Sequence, residues 1–277
     1  MKIETVERKS FKHNFLNRTI MRVDFVGPFS QDMESILHDT RNYLIDNQFK
    51  DYEERIENHV GLRIDENDLI KESLPINTLE QRKISSFKHE NEIYSVDMCK
   101  DFLGIVVNKY MPFEEYSKIF LNVLNIYKTK VDLFNLKRFG IRKTNFCFIK
   151  GKENINKYFS NNYFNTCDFF GDIKTLASEK KEVFSVSDYK INLLCNIENG
   201  TIKEDESTEI DVYKVSIDSD IYLDNTDIIE KTISDTNKLL EMNEMLFNIY
   251  TNLLSNEFIK LLTDSNDFLN EDIIGVI

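Results

Sequence analysis

The sequence predicts an α+β fold in which long antiparallel strands form a sheet and the helices pack on one face. Apolar and polar residues alternate over several long segments, which is typical of strands with one buried face. Other segments carry apolar residues at helical spacing, and only 3 prolines argue against a fold dominated by loops. We expect two similar halves forming one compact unit. These are an α+β half at residues 1–150 and a β-meander with a long helix at 151–277.

In the first half, alternation predicts five strands, and apolar spacing predicts two helices between them. The strands are expected at residues 19–25, 52–64, 83–90, 92–108 and 137–149. The helix after the first strand has its apolar face at Met33, Ile36, Leu37 and Leu44. The second helix begins at Pro112, a residue that suits the first helical position, and acidic residues follow near its positive end. Residues 66–81 are predicted to be a loop, and Gly104 is expected to mark a bulge.

In the second half, a short helix, three strands and one long helix are predicted. They are expected at residues 152–159, 183–187, 190–198, 213–217 and 226–262. Ser187-Asp188 suggests a tight turn, and Asn199-Gly200 predicts a hairpin. The acidic run at residues 204–206 is expected to be a solvated loop. The wide apolar stripe of the long helix predicts coverage by the sheet, and homo-oligomerisation through residues 226–262 is the lesser alternative.

The composition and the net charge limit the kinds of function that the protein can have. The chain has 277 residues, is 41% hydrophobic and can bury a large core. Its net charge of −13 disfavours non-specific nucleic-acid binding, although a local basic patch stays open. The polar N-terminus and the lack of a long apolar segment predict a cytoplasmic protein without a membrane partner.

No motif for catalysis, a metal or a cofactor is recognised in the sequence. Glycine-rich nucleotide loops and the G-x-S-x-G motif are absent, and the 4 histidines lack metal-ligand spacing. The 4 cysteines form no C-x-x-C pair, and Cys99, Cys147 and Cys195 fall in apolar strand patterns that predict reduced core residues. Asp172 and Asp188, each followed two residues later by a lysine, resemble a metal-nuclease triplet. Surface charge is the simpler interpretation.

The segment Arg138–Arg142, with the sequence Arg-Phe-Gly-Ile-Arg, is the most distinctive of the chain. Residues four apart in a strand lie on the same face, so Arg138 and Arg142 are expected side by side. Phe146 and Phe148 continue that face. Two arginines in this arrangement could bind a phosphate or a partner's carboxylate. The alternative is that both pair with acidic residues of the same chain.

These residues resemble a sporadically distributed prokaryotic family of about this length, catalogued mainly as hypothetical proteins, with an Arg-x-Gly-Leu/Ile-Arg strand. The resemblance extends to Tyr110–Tyr116 before the helix, to Ile210–Tyr213 late in the chain, and to Asn248–Phe258 in the last helix. This chain departs from the family at Lys143, where an aromatic residue is more common. The resemblance implies no established activity, so no catalytic residue is carried over.

Three functions of different classes follow from these observations. The first is a non-enzymatic interaction or adaptor subunit of a bacterial multi-protein assembly, with the product of a neighbouring gene as its partner. The sporadic distribution of the similar family suggests anti-phage defence. The alternative is a metal-dependent enzyme that processes nucleotides or nucleic acids through Arg138, Arg142 and scattered carboxylates. Acidic DNA mimicry ranks last, because no array of carboxylates is evident.

Overall fold

A single antiparallel sheet organises the fold. The computed structural model describes residues 11–26, 30–63, 76–131, 135–165, 176–203, 209–264 and 271–275. The strands within these ranges are β1 Leu16–Val26, β2 Phe49–Arg63, β3 Ile76–His89, β4 Tyr94–Met98, β5 Phe102–Val107, β6 Asn135–Lys150, β7 Ala177–Val186, β8 Tyr189–Lys203, β9 Glu209–Leu223 and β10 Ile273–Ile274. The helices are α1 Ser30–Asp46, α2 Phe113–Lys130, α3 Glu153–Tyr158, α4 Thr226–Ile233, α5 Thr236–Asn252 and α6 Asn256–Asp264. The predicted α+β class is confirmed.

The strand order shows that the two halves of the chain share a topology. It runs β2-β3-β4-β5-β1-β6-β9-β8-β7, and β10 pairs with one end of β6. In each half a strand and a helix precede a meander, and the last meander strand returns beside the first strand. β5 therefore pairs with β1, and β9 pairs with β6. Because β1 and β6 also pair with each other, the two halves share one continuous sheet.

The helices pack on one face of this sheet, over two apolar clusters. Alternate residues of β6 point toward them, with Phe139 and Ile141 in the first cluster and Cys147 and Ile149 in the second. The first cluster joins α1, α2, α4 and the start of α5 to strands of both halves. The second joins α3, α6 and the end of α5 to β6, β8 and β9. The period of two in each strand therefore decides which side chains are buried.

Three predictions for the first half are wrong, because turns and strand pairing override the local sequence signals. The segment at residues 92–108 is two strands, since Cys99–Asp101 forms a turn in which the Cys99 amide donates to the Phe102 carbonyl. Gly104 pairs regularly with both neighbouring strands and marks no bulge. Residues 76–81, predicted as loop, belong to β3 because β2 pairs with them.

The predicted hairpin at Asn199-Gly200 is also wrong, whereas the tight turn at Ser187-Asp188 is confirmed. β8 runs through Gly200, which pairs with Val212 of β9. Continued pairing with a long neighbour outweighs the local turn preference of the Asn-Gly pair. The connection to β9, including the acidic run at residues 204–206, lies outside the described residues. At the confirmed turn, Ser187 has a positive φ of 53°.

The predicted single helix at residues 226–262 is three helices, because polar side chains cap new starts within it. The Asp235 carboxylate accepts the Asn237 amide before α5, and the Ser255 hydroxyl accepts the Phe258 amide in the first turn of α6. The apolar stripe of α5 is buried within the chain itself. No helix among the described residues is long and apolar enough to span a membrane.

Three of the four cysteines are buried free thiols, namely Cys99, Cys147 and Cys195. Burial raises the pKa of Cys99 and of Cys195 to about 12. Burial also raises the pKa of Cys147 well above its usual range. Cys167 lies outside the described residues. Because the thiolate is the reactive form, all three buried thiols should be chemically inert in the folded protein.

Iodoacetamide at pH 8 should therefore label Cys99 and Cys195 in the native protein roughly a thousandfold more slowly than an unperturbed thiol. Mass spectrometry of cysteine-containing peptides at timed intervals measures each rate separately. The urea-unfolded protein is the control, in which all the thiols should react rapidly. Labelling of native Cys99 at the unfolded rate would contradict the buried turn described above.

Candidate functional site

A row of polar side chains crosses the helix-covered face of the sheet between the two apolar clusters. In β6, Lys143 and Asn145 are neighbours on the helix-covered face, with Thr144 between them pointing the other way. The alternation of the strand predicts apolar residues at both positions. The register pairs Lys143 with Thr19 of β1 on one side and with Ser219 of β9 on the other. Thr19, Asn145 and Ser219 are all buried. Polar groups from three strands thus lie where the core is otherwise apolar.

Helix α5 adds two more polar side chains above this row. The ammonium group of Lys143 donates to Asn243 Oδ1 at 2.6 Å, so the amide nitrogen of Asn243 points elsewhere. That nitrogen, the Ser219 hydroxyl and the Tyr250 hydroxyl are buried and have no hydrogen-bond partner among the described residues. Burial raises the pKa of Tyr250 well above its ordinary value, so its hydroxyl remains protonated and can donate.

A cavity of about 140 Å³ lies beside these groups. We call it the polar cleft, and its lining residues are Phe11, Lys12, Asn14, Leu16, Tyr110, Lys143, Asn145, Ser219, Leu246, Phe247 and Tyr250. The two charged residues in this lining are both lysines. A smaller hollow adjoins it and shares Tyr110 and Lys143, and it reaches Thr19 and Asn243. The polar cleft therefore combines apolar walls with a basic, donor-rich floor.

A second cavity among the described residues has a different character. It measures about 340 Å³, lies beside α1 and β3, and has lining residues of both charges. Its charged groups pair with one another, because Arg82 contacts Asp101 at 3.1 Å and Lys83 contacts Glu54 at 2.8 Å. Among the described residues that line this cavity, Arg82 Nε is the one buried side-chain nitrogen or oxygen without a hydrogen-bond partner. Most of the charged side chains that line this cavity are therefore neutralised by ion pairs with one another.

Arg138 and Arg142 lie on the face of β6 opposite the described helices, which we call the arginine face, and each binds an aspartate of β9. Arg138 Nη2 donates to Asp220 Oδ2 at 2.7 Å. Arg142 donates to both carboxylate oxygens of Asp218, from Nε at 2.8 Å and from Nη2. This bond to Asp218 raises the pKa of the Arg142 guanidinium. Both carboxylates are mostly buried, with 16% of Asp218 and 18% of Asp220 exposed.

Gly140 makes the Arg138 contact possible. It pairs with Tyr222 between the two arginines and has no side chain to occupy that face. The Arg138 guanidinium lies 4.4 Å from the centre of the Tyr222 ring, close enough for a cation–π contact. A Cβ atom added at Gly140 would lie 3.0 Å from Tyr222 Cβ and 3.1 Å from the Ile221 carbonyl oxygen. Glycine is therefore the residue that this close approach requires.

The remaining predicted positions do not converge on a site. Asp188 lies in the turn between β7 and β8, and Asp172 falls outside the described residues. Among the residues that the structure describes, no group of three or more His, Cys, Asp or Glu side chains could hold a metal ion. His89 is buried and stacks on Tyr94, with ring centres 4.4 Å apart.

The polar cleft is not among the sites that sequence reasoning identified, although a signal for it exists. The helix-covered face of β6 is apolar except at Lys143 and Asn145, which are neighbours on that face. The contributions of Ser219 and Asn243 depend on strand register and helix packing, which no local pattern reveals.

Comparisons with known proteins do not establish a family. No family model and no curated protein matches the chain. Among solved structures, one described as KH domains is similar at 12% identity with a TM-score of 0.21, covering 92% of this chain and 66% of that one. The RNA triphosphatase Pct1 of S. pombe, in complex with the Spt5 CTD, is similar at 7% identity with a TM-score of 0.14, covering 92% and 87%. The chain thus spans just under two thirds of the first structure.

Proposed function

We propose that the protein is a non-enzymatic interaction subunit of a cytoplasmic bacterial multi-protein assembly. The observation that carries the proposal is that Arg138 and Arg142 are already bound to Asp220 and Asp218 of the same chain. A phosphate that entered this face would have to displace a carboxylate that is mostly buried. Leaving such a charge unpaired is costly. This cost favours protein contact over nucleotide binding at the arginine face.

The arginine face has features that suit a protein partner. Its charges are held in fixed geometry by cross-strand bonds, so little side-chain entropy is lost when a partner docks. Phe146 and Phe148 lie on the same face, with ring centres 5.7 Å apart, and are partly exposed. Aromatic side chains beside ordered arginines are common in protein interfaces. The partner that we propose is the product of a neighbouring gene.

Co-expression with the neighbouring gene product should therefore yield a stable complex that co-purifies and elutes together in size exclusion. Exchanging one ion pair, by combining Arg142→Asp with Asp218→Arg, keeps opposite charges together but reverses the pattern that the partner meets. This double variant should fold and should lose the partner. The matched control exchanges Glu54 and Lys83, an exposed cross-strand pair with a contact at 2.8 Å on other strands.

The result that would refute the interaction proposal is a wild-type protein that stays monomeric and retains no neighbouring gene product. If both exchanged variants keep the partner, the contact lies elsewhere than the arginine face. A role in anti-phage defence belongs to the same proposal and rests on the distribution of the similar family. Phage plaque counts on cells that carry both genes, compared with cells that lack this one, test that part.

A further inference from the structure

Strand β7 forms one edge of the described sheet. It pairs with β8 on one side, and no other strand among the described residues pairs with its outer side. The Asn199 amide of β8 donates to the Leu176 carbonyl, so the even-numbered residues of this segment direct their backbone groups toward β8. The odd-numbered residues direct theirs outward, where a further strand can bind them. These residues are Ala177, Glu179, Lys181, Val183 and Ser185.

Apolar side chains are exposed along this edge. Leu176 is 70% exposed, Val183 is 63% exposed and Val186 is 42% exposed. Leu176 immediately precedes β7 and Val186 ends it, so these two lie at opposite ends of the strand. A long edge strand with exposed apolar side chains favours association with another strand, because association removes apolar surface from water.

The charges of β7 limit which strand can pair with it. The middle of the strand has the sequence Glu-Lys-Lys-Glu at residues 179–182. Lysines on an edge strand normally oppose pairing with another chain, because most partners would bring like charges together. A second copy of β7 running in the opposite direction is different, since its own glutamates can then lie opposite these lysines.

One register of two antiparallel copies matches both the charges and the apolar ends. Opposing residues of antiparallel strands point to the same face, so a two-fold axis perpendicular to the sheet must pass through a residue. With Lys181 on the axis, Lys180 lies opposite the second copy's Glu182, and Leu176 lies opposite the second copy's Val186. The symmetry forms each of these contacts twice. All of them fall at positions without backbone bonds between the copies, where opposing side chains lie closest.

The neighbouring registers are less favourable. With Lys180 on the axis, two ammonium groups would face each other at a close position, and with Glu182 on the axis two carboxylates would do so. With Val183 on the axis, Glu182 would face Phe184. In the favoured register, Lys181 faces its own equivalent at a wider position, and Glu179 of each copy lies diagonally beside that pair and offsets the repulsion.

The contacts within one chain are compatible with this pairing. Lys180 contacts Glu182 at 3.2 Å, and their side chains are still 41% and 38% exposed. Lys180 also donates to the Asn162 carbonyl, and Glu182 accepts from the Tyr163 hydroxyl. An ammonium group has three donors and a carboxylate has several acceptor sites, so both can make a further bond. In the favoured register the two pairs join into a ring of alternating charges.

We infer that two copies of this chain associate through β7 about a two-fold axis at Lys181, so that their sheets form one continuous sheet. The arginine faces of both copies then lie on the same side of the joined sheet. The inference does not depend on the proposed protein partner, because it concerns the purified chain alone. Homo-oligomerisation through the helices at residues 226–262 is the competing arrangement.

Disulfide formation between engineered cysteines of the full chain tests the register. Lys181→Cys places two thiols opposite each other, with about 5.5 Å between the Cα atoms, a distance that a disulfide can bridge. Val183→Cys is the matched control, because its equivalent lies about 13 Å away along the strand. Both variants also carry Cys167→Ser, since the other native cysteines are buried. Oxidation with copper phenanthroline should convert Lys181→Cys to a covalent dimer and leave Val183→Cys monomeric on non-reducing gels.

Sedimentation velocity measures the association without a cross-link. The wild type should shift from monomer to dimer between about 1 µM and 100 µM, the range expected for a small interface. Lys181→Pro removes an outward N–H, a change that edge strands tolerate, and with it both central hydrogen bonds of the dimer. It should weaken association by at least about tenfold. Lys181→Ala is the matched control, because it keeps the N–H and should associate at least as strongly as the wild type.

A charge exchange keeps the inference testable even if Lys181→Pro fails to fold. Glu182→Lys sets lysines opposite each other and should weaken association of the protein. Adding Lys180→Glu restores opposite charges between the copies and should restore the dimer. Far-UV circular dichroism of each variant shows that the fold is retained.

Three results would overturn the inference. The first is a wild-type protein that is still monomeric at about 1 mM. The second is equal cross-linking of Lys181→Cys and Val183→Cys. The third is a dimer that Lys181→Pro and Glu182→Lys leave as strong as in the wild type, which is the outcome expected if residues 226–262 form the interface. A complex with the neighbouring gene product can form in each case, so the two proposals fail separately.

Discussion

Replacing Phe258 with alanine is expected to lower the free energy of unfolding by about 3–5 kcal/mol. Phe258 is fully buried at the centre of the second apolar cluster. Its ring lies 5.4 Å from the rings of Phe15 and Tyr158 and 5.3 Å from that of Phe159. Alanine would leave a cavity among aromatic rings that come from two distant parts of the chain. Urea denaturation followed by far-UV circular dichroism measures the loss.

Val183→Ala is the control for the Phe258 variant. Val183 is 63% exposed on β7, so its truncation should change the free energy of unfolding by no more than about 0.5 kcal/mol. A loss below about 1 kcal/mol in Phe258→Ala would mean that this aromatic cluster is not packed as described.

The same variant tests the prediction that the halves form one compact unit. If they unfold together, native-state hydrogen exchange should speed up in β4 and β5 as well as in β8 and β9, because all of these amides open through one global transition. Acceleration confined to β8 and β9 would show two units that unfold separately, although they share one sheet.

Gly140→Val is expected to destabilise the protein by about 1–3 kcal/mol, although valine normally favours strands. The added Cβ would lie 3.0 Å from Tyr222 Cβ and 3.1 Å from the Ile221 carbonyl oxygen. That oxygen belongs to a strand paired on both sides, which resists displacement. The methyl groups would also occupy the space through which Arg138 reaches Asp220. Chemical denaturation of the purified variant measures the change.

Gly200→Val is the matched control, because Gly200 also lies within a strand but has open space where its Cβ would be. There the strand preference of valine should leave stability unchanged or raise it by up to about 1 kcal/mol. If both glycine variants behave alike, steric crowding at Gly140 is not the reason for glycine in the arginine motif.

Local patterns were sufficient wherever one strand or helix could be judged by itself. Alternation located β1, β6 and β9, and the apolar stripe and acidic first turn located α2, with Pro112 immediately before it rather than within it. Two of the failures share one cause. At Asn199-Gly200 and at residues 76–81, pairing with a neighbouring strand decided the outcome, and a local pattern carries no information about that neighbour.

The sequence by itself determined the α+β class, the face on which Arg138 and Arg142 lie, and the polar interruption at Lys143. Each follows from the period of two within one strand. Only the tertiary structure decided that Asp218 and Asp220 are the carboxylates that the arginines bind, and that Thr19, Lys143 and Ser219 form one row. Those pairings depend on the register of strands far apart in the chain. Register is set by the summed burial and hydrogen bonding of whole strands rather than by any short segment.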